Sequence, residues 1–176
     1  MRVKVRGMTV EKNMKPIQNL IVLIGKPNSN KTATMHHVVR GLEGNKDDVK
    51  WIRRSKFVQD DCADFTVQME YRGKKIYLAS RGDDRPPMEA KVEAIIKGKF
   101  EIAVVVISAP AEDGASKAVY EYYCNEMKAK VSNLIEVEKE HFENPSTKAI
   151  ADSTRKASES IIKAINDIID KMTIKS

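Results

Sequence analysis

The sequence has no long hydrophobic run and no recognisable leader. Its longest uninterrupted apolar segments, residues 20–24 and 102–107, are far shorter than the roughly 20 residues that a membrane-spanning helix needs. Residues 1–10 contain no apolar block of about 7–15 residues followed by a small-residue cleavage site, which a secretion signal would carry. We therefore expect a cytoplasmic protein that does not interact with membranes.

Cysteine is also scarce, with only Cys62 and Cys124 among 176 residues. No short Cys/His spacing repeats, so nothing indicates a zinc site or a disulfide framework, and two buried free thiols are expected. The length suits one domain with its own hydrophobic core. Neither an internal repeat nor a shift in composition marks a second unit, so residues 1–176 are expected to form a single domain.

The charge balance is basic, with 31 Lys and Arg against 25 Asp and Glu, a net charge of +6. Such a balance favours anionic partners, namely nucleotides, nucleic acid or phosphorylated substrates. Trp51 lies beside Arg53 and Arg54, where it could stack on a base of a nucleic acid. The alternative is a buried tryptophan flanked by solvated charges.

Segments with strand-like and helix-like patterns alternate along the chain. Strands are expected around residues 20–24, 65–71, 75–79, 100–107 and 134–137, and apolar residues at helical spacing fall within 35–42, 88–96, 119–127 and 144–172. The second and third strands flank a short turn with Gly73, which indicates a hairpin. This order predicts an α/β three-layer sandwich with a mostly parallel sheet, one antiparallel hairpin and a long C-terminal helix.

A distinctive segment lies between the first strand and the first helix. It consists of Gly25, Lys26, Pro27, Asn28, Ser29, Asn30, Lys31 and Thr32. This segment resembles the P-loop, or Walker A motif, of the P-loop-containing nucleoside triphosphate hydrolase superfamily, in which Gly, four residues, Gly, Lys and Ser or Thr follow one another. Asn30 replaces the second glycine, and asparagine is the non-glycine residue that best tolerates left-handed backbone.

The resemblance implies a role for each part of this segment. All eight residues would bind the phosphates of a nucleotide, Lys31 would reach the terminal phosphates, and the Thr32 hydroxyl would bind Mg²⁺. A loop between a buried strand and a helix also directs backbone N–H groups at an anion, aided by the helix dipole. The alternative is an ordinary turn with a solvated Lys31 and with Thr32 as a capping group.

P-loop enzymes usually carry a metal-binding carboxylate at the tip of a neighbouring strand. Here the nearest carboxylates come a few residues after the strand that ends at Ala79. Asp83 is the first candidate for the metal-binding carboxylate and Asp84 is the second. The Ser80 hydroxyl is a candidate to bind a water molecule of the metal. Arg81 is a candidate to neutralise the γ-phosphate during transfer, as is Arg85. The alternative is a solvated turn that caps the next helix. Two further candidates, Glu112 and Asp113, could position water or an acceptor hydroxyl.

The order of loop, helix, hairpin and glycine-containing turn also resembles the small GTPase branch of this superfamily. Two details differ from that branch. Ala79 stands three residues before Gly82, where those proteins have aspartate, and the guanine-reading Asn-Lys-x-Asp pattern occurs only at residues 45–48, directly after the first helix. ATP is therefore favoured over GTP.

These observations predict Mg²⁺-dependent binding of a nucleoside triphosphate, with hydrolysis or phosphoryl transfer, by an ATPase or a small-molecule kinase with an unknown acceptor. Two alternatives stay open. One is a non-catalytic nucleotide-binding module that regulates a protein partner, for which the missing carboxylate at Ala79 and Ser80 argues. The other is a basic nucleic-acid-binding protein.

Overall fold

The computed structural model describes residues 16–26, 29–55, 63–80, 89–90, 92–93, 95, 102–111 and 117–175. The strands are β1 (Ile17–Gly25), β2 (Val49–Ser55), β3 (Thr66–Tyr71), β4 (Lys74–Ala79), β5 (Ile102–Pro110) and β6 (Val131–Glu138). The helices are α1 (Lys31–Glu43), α2 (Lys117–Tyr122) and α3 (Thr147–Ile174). The described residues between 89 and 95 are helical as well. Short 3₁₀ or π turns occur at Lys46–Asp48, Tyr123–Met127 and Lys128–Lys130.

The six strands form one mixed sheet in the order β2-β3-β4-β5-β1-β6. Strand β3 runs antiparallel to β2 and β4, whereas the pairings β4–β5, β5–β1 and β1–β6 are parallel. The predicted α/β fold with a mostly parallel sheet is therefore confirmed. Because β5 lies between β1 and β4, the end of the hairpin is separated from the end of β1 by one strand.

The central strands are the continuous apolar runs of the sequence. All nine residues of β5 are buried, as are six of the nine in β1. Such runs are typical of strands that are covered on both faces. The hairpin β3–β4 turns at Arg72 and Gly73, whose φ angles of 49° and 77° are the positive values that a tight two-residue turn requires.

Helices cover both faces of the sheet. On one face α1 and α3 bury an apolar cluster that includes Ile21 and Val104, and on the other α2 packs over Val22 and Val105. The buried apolar residues of α3 repeat every three or four positions and comprise Ala157, Ile161, Ile165, Ile168 and Ile169. The predicted packing of this row against the sheet, and with it the three-layer arrangement, is confirmed.

Two details differ from the sequence-based expectations. Strand β2 was not expected, yet Val49 and Trp51 pack against the core and β2 pairs with β3 along its length. Helix α3 begins at Thr147 instead of Asn144, because the Ser146 hydroxyl accepts a hydrogen bond from the backbone N–H of Ala149 and thereby caps the helix there.

The free thiol of Cys124 is only partly buried, so the expectation of a fully buried thiol is wrong at this position. Cys62 lies outside the described residues. None of the helices in the described part of the chain combines the length and the apolar character that crossing a bilayer requires.

Candidate functional site

The segment from Gly25 to Thr32 lies at the carboxyl edge of the parallel strands, where ligands bind in open α/β sheets. The end of β1 is fixed to its neighbours on both sides. Ala111 donates a backbone hydrogen bond of 3.1 Å to Gly25, and Lys139 donates one of 2.7 Å to Ile24. The loop therefore starts from a rigid part of the sheet. Pro27 and Asn28 lie outside the described residues.

Asn30 adopts left-handed backbone, with φ 60° and ψ 36°. Asparagine can replace glycine at this position because it tolerates left-handed backbone, and the torsion angles of Asn30 confirm that it does so. Helix α1 starts at the next residue, and Thr34 N donates to Asn30 O at 3.0 Å. The substitution therefore preserves the strand–loop–helix connection.

Among the described residues, the N-terminus of α1 shows no side-chain cap. The first N–H groups of a helix have no acceptor within the helix. The Asn30 side chain makes no capping hydrogen bond, and the first turn holds no acidic residue. Thr32 is thus not the capping group of the alternative interpretation, and the positive end of the helix dipole faces the loop.

Lys31 folds back over the loop instead of pointing into solvent. Its side chain is 6 % exposed, and Nζ donates to the backbone oxygens of Gly25 at 2.8 Å and Lys26 at 3.1 Å. The ammonium group is therefore held at the loop by acceptors that a phosphate could replace. A solvated surface lysine, the other sequence-based interpretation, does not describe this position.

Gly25 has no room for a side chain. A Cβ atom there would lie 2.5 Å from Ser29 Oγ and 3.0 Å from Lys139 Cβ. Ser29 is 7 % exposed, and its Oγ has no hydrogen-bond partner in the part of the chain that the structure describes. A buried hydroxyl without a partner costs free energy, so Ser29 Oγ is a candidate contact for a ligand.

A carboxylate that the sequence analysis missed meets Thr32. Asp64 Oδ1 accepts hydrogen bonds from Thr32 Oγ1 at 3.0 Å and from Ser80 Oγ at 3.1 Å, and Ser80 Oγ in turn accepts one from Phe65 N at 2.9 Å. These hydroxyl and carboxylate oxygens are of the kind that Mg²⁺ binds. The signal for Asp64 was weak, because it precedes a strand instead of following one.

His36 fixes the segment that carries Asp64. Its Nε2 lies 2.9 Å from the carbonyl oxygen of Ala63, so Nε2 carries the proton, and its ring meets that of Phe65 edge to face at 4.6 Å. His36 is completely buried on α1. It therefore holds the segment that carries Asp64 against α1.

Most of the other predicted catalytic and metal-binding residues follow β4 or β5 in the chain. Arg81, Asp83, Asp84, Arg85, Glu112 and Asp113 lie outside the described residues and stay predictions. Ser80 is buried at the end of β4, and the hydroxyl of Ser108 on β5 donates to its carbonyl oxygen. In the described residues, no group of three or more His, Cys, Asp or Glu side chains could hold a metal ion.

Two patterns outside the loop have structural explanations. Trp51 is partly buried and packs against the core, which favours the buried alternative. The side chains of Arg53 and Arg54 are not among the described parts. Residues 45–48 form a turn after α1, in which Asn45 Nδ2 donates to Asp48 at 2.6 Å, and α1 separates this turn from the loop. The Asn-Lys-x-Asp match is therefore unrelated to base recognition.

Lys139 is a second buried lysine beside the loop, and the sequence analysis did not identify it. It is 7 % exposed, and its Nζ donates to Thr154 Oγ1 at 2.9 Å. Burial lowers the pKa of Lys139 to about 8, against a smaller opposing effect of Glu140. The pKa of His37 is also lowered, by burial first and then by Arg40, Lys139 and His36. This side of the loop is therefore rich in cations.

Comparison with known protein families, with characterised proteins and with solved structures gives no match for this chain. The function therefore has to be inferred from the geometry of the loop and its surroundings.

Proposed function

We propose that this domain binds a Mg²⁺–nucleoside triphosphate through residues 25–32, with ATP as the first candidate, and hydrolyses it or transfers its γ-phosphoryl group. One observation carries the proposal. Left-handed Asn30 joins a buried parallel strand to the uncapped start of α1, and Lys31 lies folded over that junction. This is the arrangement that an anion-binding loop needs.

Phosphate binding would use contacts that the free protein makes internally. The Lys31 ammonium can exchange the carbonyl oxygens of Gly25 and Lys26 for phosphate oxygens, which are stronger acceptors because they are charged. The closely packed backbone at Gly25 and the hydroxyl of Ser29 line the same loop. The N–H groups at the start of α1 and its dipole add to the attraction.

Thr32 and Asp64 are the described residues that would hold Mg²⁺. Their oxygens already lie within 3.0 Å of each other, and Ser80 lies on the other side of the carboxylate. When bound, Mg²⁺ neutralises charge on the phosphates. Asp64 would keep the metal at the loop, and His36 would keep Asp64 in place through Ala63 and Phe65.

The non-catalytic nucleotide-binding module remains the second candidate, because one observation favours it. The strand end where a metal-side carboxylate is expected carries Ser80, whose hydroxyl is already engaged with Phe65 N and Asp64. Turnover then depends on Asp83 and Arg81, which follow Ser80 in the sequence. Binding and turnover therefore have to be measured separately.

Calorimetric titration with ATP and GTP, each with and without Mg²⁺, tests the binding proposal. The proteins compared are the wild type, Lys31→Ala, and Lys156→Ala as a control that removes an exposed lysine from α3. We expect Mg²⁺-dependent binding by the wild type and the control and its loss in Lys31→Ala. Absence of binding by the wild type, or equal binding by Lys31→Ala, would overturn the proposal.

Phosphate release under saturating MgATP separates the two functions. An ATPase releases phosphate faster than Lys31→Ala, and substitution of Asp83 or Arg81 by alanine slows it. A non-catalytic module binds MgATP but releases phosphate no faster than the Lys31→Ala background. A kinase is identified by transfer to an added hydroxyl-bearing acceptor above the rate of hydrolysis.

A further inference from the structure

Lys139 is a buried lysine beside the proposed phosphate loop. Its Nζ donates to the neutral hydroxyl of Thr154 on α3. Among the residues that the structure describes, no carboxylate lies within ion-pair distance of this ammonium group. A buried charge without an opposite charge is costly, so proteins rarely keep one without a use for it.

Lys139 and Ser29 line the same cavity. This cavity has a volume of about 30 Å³ and is also lined by Asn30 and by the acidic Glu140. A water molecule needs about 10–15 Å³ of such space, so the cavity admits one small polar group such as a phosphate oxygen. Lys139 thus borders this space, as does Ser29, whose buried hydroxyl has no partner in the described part of the chain.

Charged groups of both signs surround Lys139. Lys31 and His37 face it from α1, Glu140 follows it in the chain, and α3 presents the Thr154 hydroxyl. Burial holds the pKa of Lys139 at about 8 in the free protein, so that the charged form is disfavoured, and Glu140 opposes this effect. A bound polyanion would reverse the balance and favour the ammonium.

We propose that Lys139 is a second phosphate-binding cation of this loop, whose Nζ exchanges the Thr154 hydroxyl for a phosphate oxygen that Ser29 Oγ also contacts. This inference rests on the proposed function and extends it to a residue outside the Gly25–Thr32 segment. Binding of the phosphate chain then frees Thr154 and completes the protonation of Lys139, so that the protein takes up protons at a pH above 8.

Calorimetric titration with MgATP and with Mg²⁺–tripolyphosphate, which lacks base and ribose, tests the inference. The variants are Lys139→Met and Lys156→Met, the latter as a matched exposed lysine on α3. A charged hydrogen bond typically corresponds to about 10- to 100-fold in affinity, and we expect a loss of this size for both ligands in Lys139→Met only. Unchanged affinities would overturn the inference, and so would a loss confined to ATP, since that would indicate a contact to the nucleoside.

Proton uptake provides a second measurement that does not depend on affinity. At pH 8.5, titrations in two buffers of different ionisation enthalpy should reveal uptake of a substantial fraction of one proton per MgATP by the wild type. Lys139→Arg should bind MgATP without this uptake, because arginine is always protonated. Uptake that is equal in the wild type and in Lys139→Arg would contradict the inference.

Comparison of the wild type with Lys31→Ala separates a failure of the proposed nucleotide binding from a failure of the proposed role of Lys139. If the wild type binds neither ligand, the proposed function is wrong and the role of Lys139 falls with it. If the wild type binds, Lys31→Ala does not, and Lys139→Met binds as the wild type does, only the role of Lys139 is wrong. Thermal unfolding of each variant shows that a loss of binding is not a loss of fold.

Discussion

The hydroxyl of Thr32 donates a 3.0 Å hydrogen bond to the carboxylate of Asp64, 32 residues later in the chain. This contact joins the first turn of α1 to the segment that enters β3. It places an acidic oxygen beside the residue that the P-loop resemblance assigns to Mg²⁺. Asp64 precedes β3, the first strand of the hairpin, whereas the carboxylates expected from the sequence follow β4, its second strand.

Replacement of Asp64 by alanine should weaken MgATP binding by about 10-fold or more, because a Mg²⁺ ligand is lost. The loss should disappear when Mg²⁺ is omitted. Asp47→Ala removes an equally exposed carboxylate from the turn after α1 and serves as the control. Calorimetric titration measures both. An Asp64 variant that is equally impaired without Mg²⁺ would show that the carboxylate supports the fold of the loop instead of the metal.

The parts of the fold and of the site that were predicted from the sequence depend on residues that are close together in the chain. The apolar run at residues 20–24, the loop after it and the helical spacing from Met35 follow one another directly, so local pattern sufficed. Asp64 was missed because its partner Thr32 lies far away in the chain. The insertion of β5 between β1 and β4 likewise depends on strand pairing that no local pattern encodes.

Strand β2 and Lys139 were missed for a different reason. Trp51 precedes two arginines, and this charged sequence looked like a surface even though Trp51 and Val49 alternate toward the core. Lys139 stands between Glu138 and Glu140, which is typical of a solvated turn. Its burial follows from the packing of α3 over the end of β6, which the sequence did not predict.

The left-handed backbone of Asn30 predicts an ordered response to substitution. Asn30→Gly should keep MgATP binding and change the free energy of unfolding little, because glycine adopts this region without strain. Asn30→Val should lower the free energy of unfolding by about 1–2 kcal/mol and impair binding. Denaturant unfolding measures the difference. Ala33→Val places the same side chain on right-handed backbone three residues later and should cost less than about 1 kcal/mol. Equal costs for the two valine variants would contradict the role of the torsion angle.

The close contacts of Gly25 predict that even alanine is harmful there. Its Cβ would meet Ser29 Oγ at 2.5 Å and Lys139 Cβ at 3.0 Å, so we expect Gly25→Ala to lower the free energy of unfolding by about 1–3 kcal/mol. MgATP binding should be lost as well. Gly41→Ala is the matched control, because its Cβ would meet only the flexible end of the Ile162 side chain. Alanine also favours the helix there, so Gly41→Ala should be neutral or stabilising. A similar destabilisation by both variants would argue against a tightly packed loop.

Burial of Lys139 predicts how stability depends on pH. Its pKa is about 8 in the folded protein, against 10.5 for an ordinary lysine. Between these values the unfolded chain binds a proton that the folded protein does not, so this group makes the free energy of unfolding rise with pH from 8 to 10.5. Below pH 8 the full cost of the buried charge applies, at most about 3 kcal/mol.

Lys139→Met removes that charge and should therefore raise the free energy of unfolding at pH 7 by about 1–3 kcal/mol. The curves of the wild type and the variant should approach each other as the pH rises from 8 to 10.5 and converge above it, because the lysine is neutral in both states only above pH 10.5. Urea unfolding at several pH values between 7 and 10 measures this difference without nucleotide. Lys156→Met, which alters an exposed lysine, should show no such convergence. Parallel curves for Lys139→Met and the wild type would mean that the pKa of Lys139 is the same in the folded and the unfolded protein. Burial of Lys139 would then not explain how stability depends on pH.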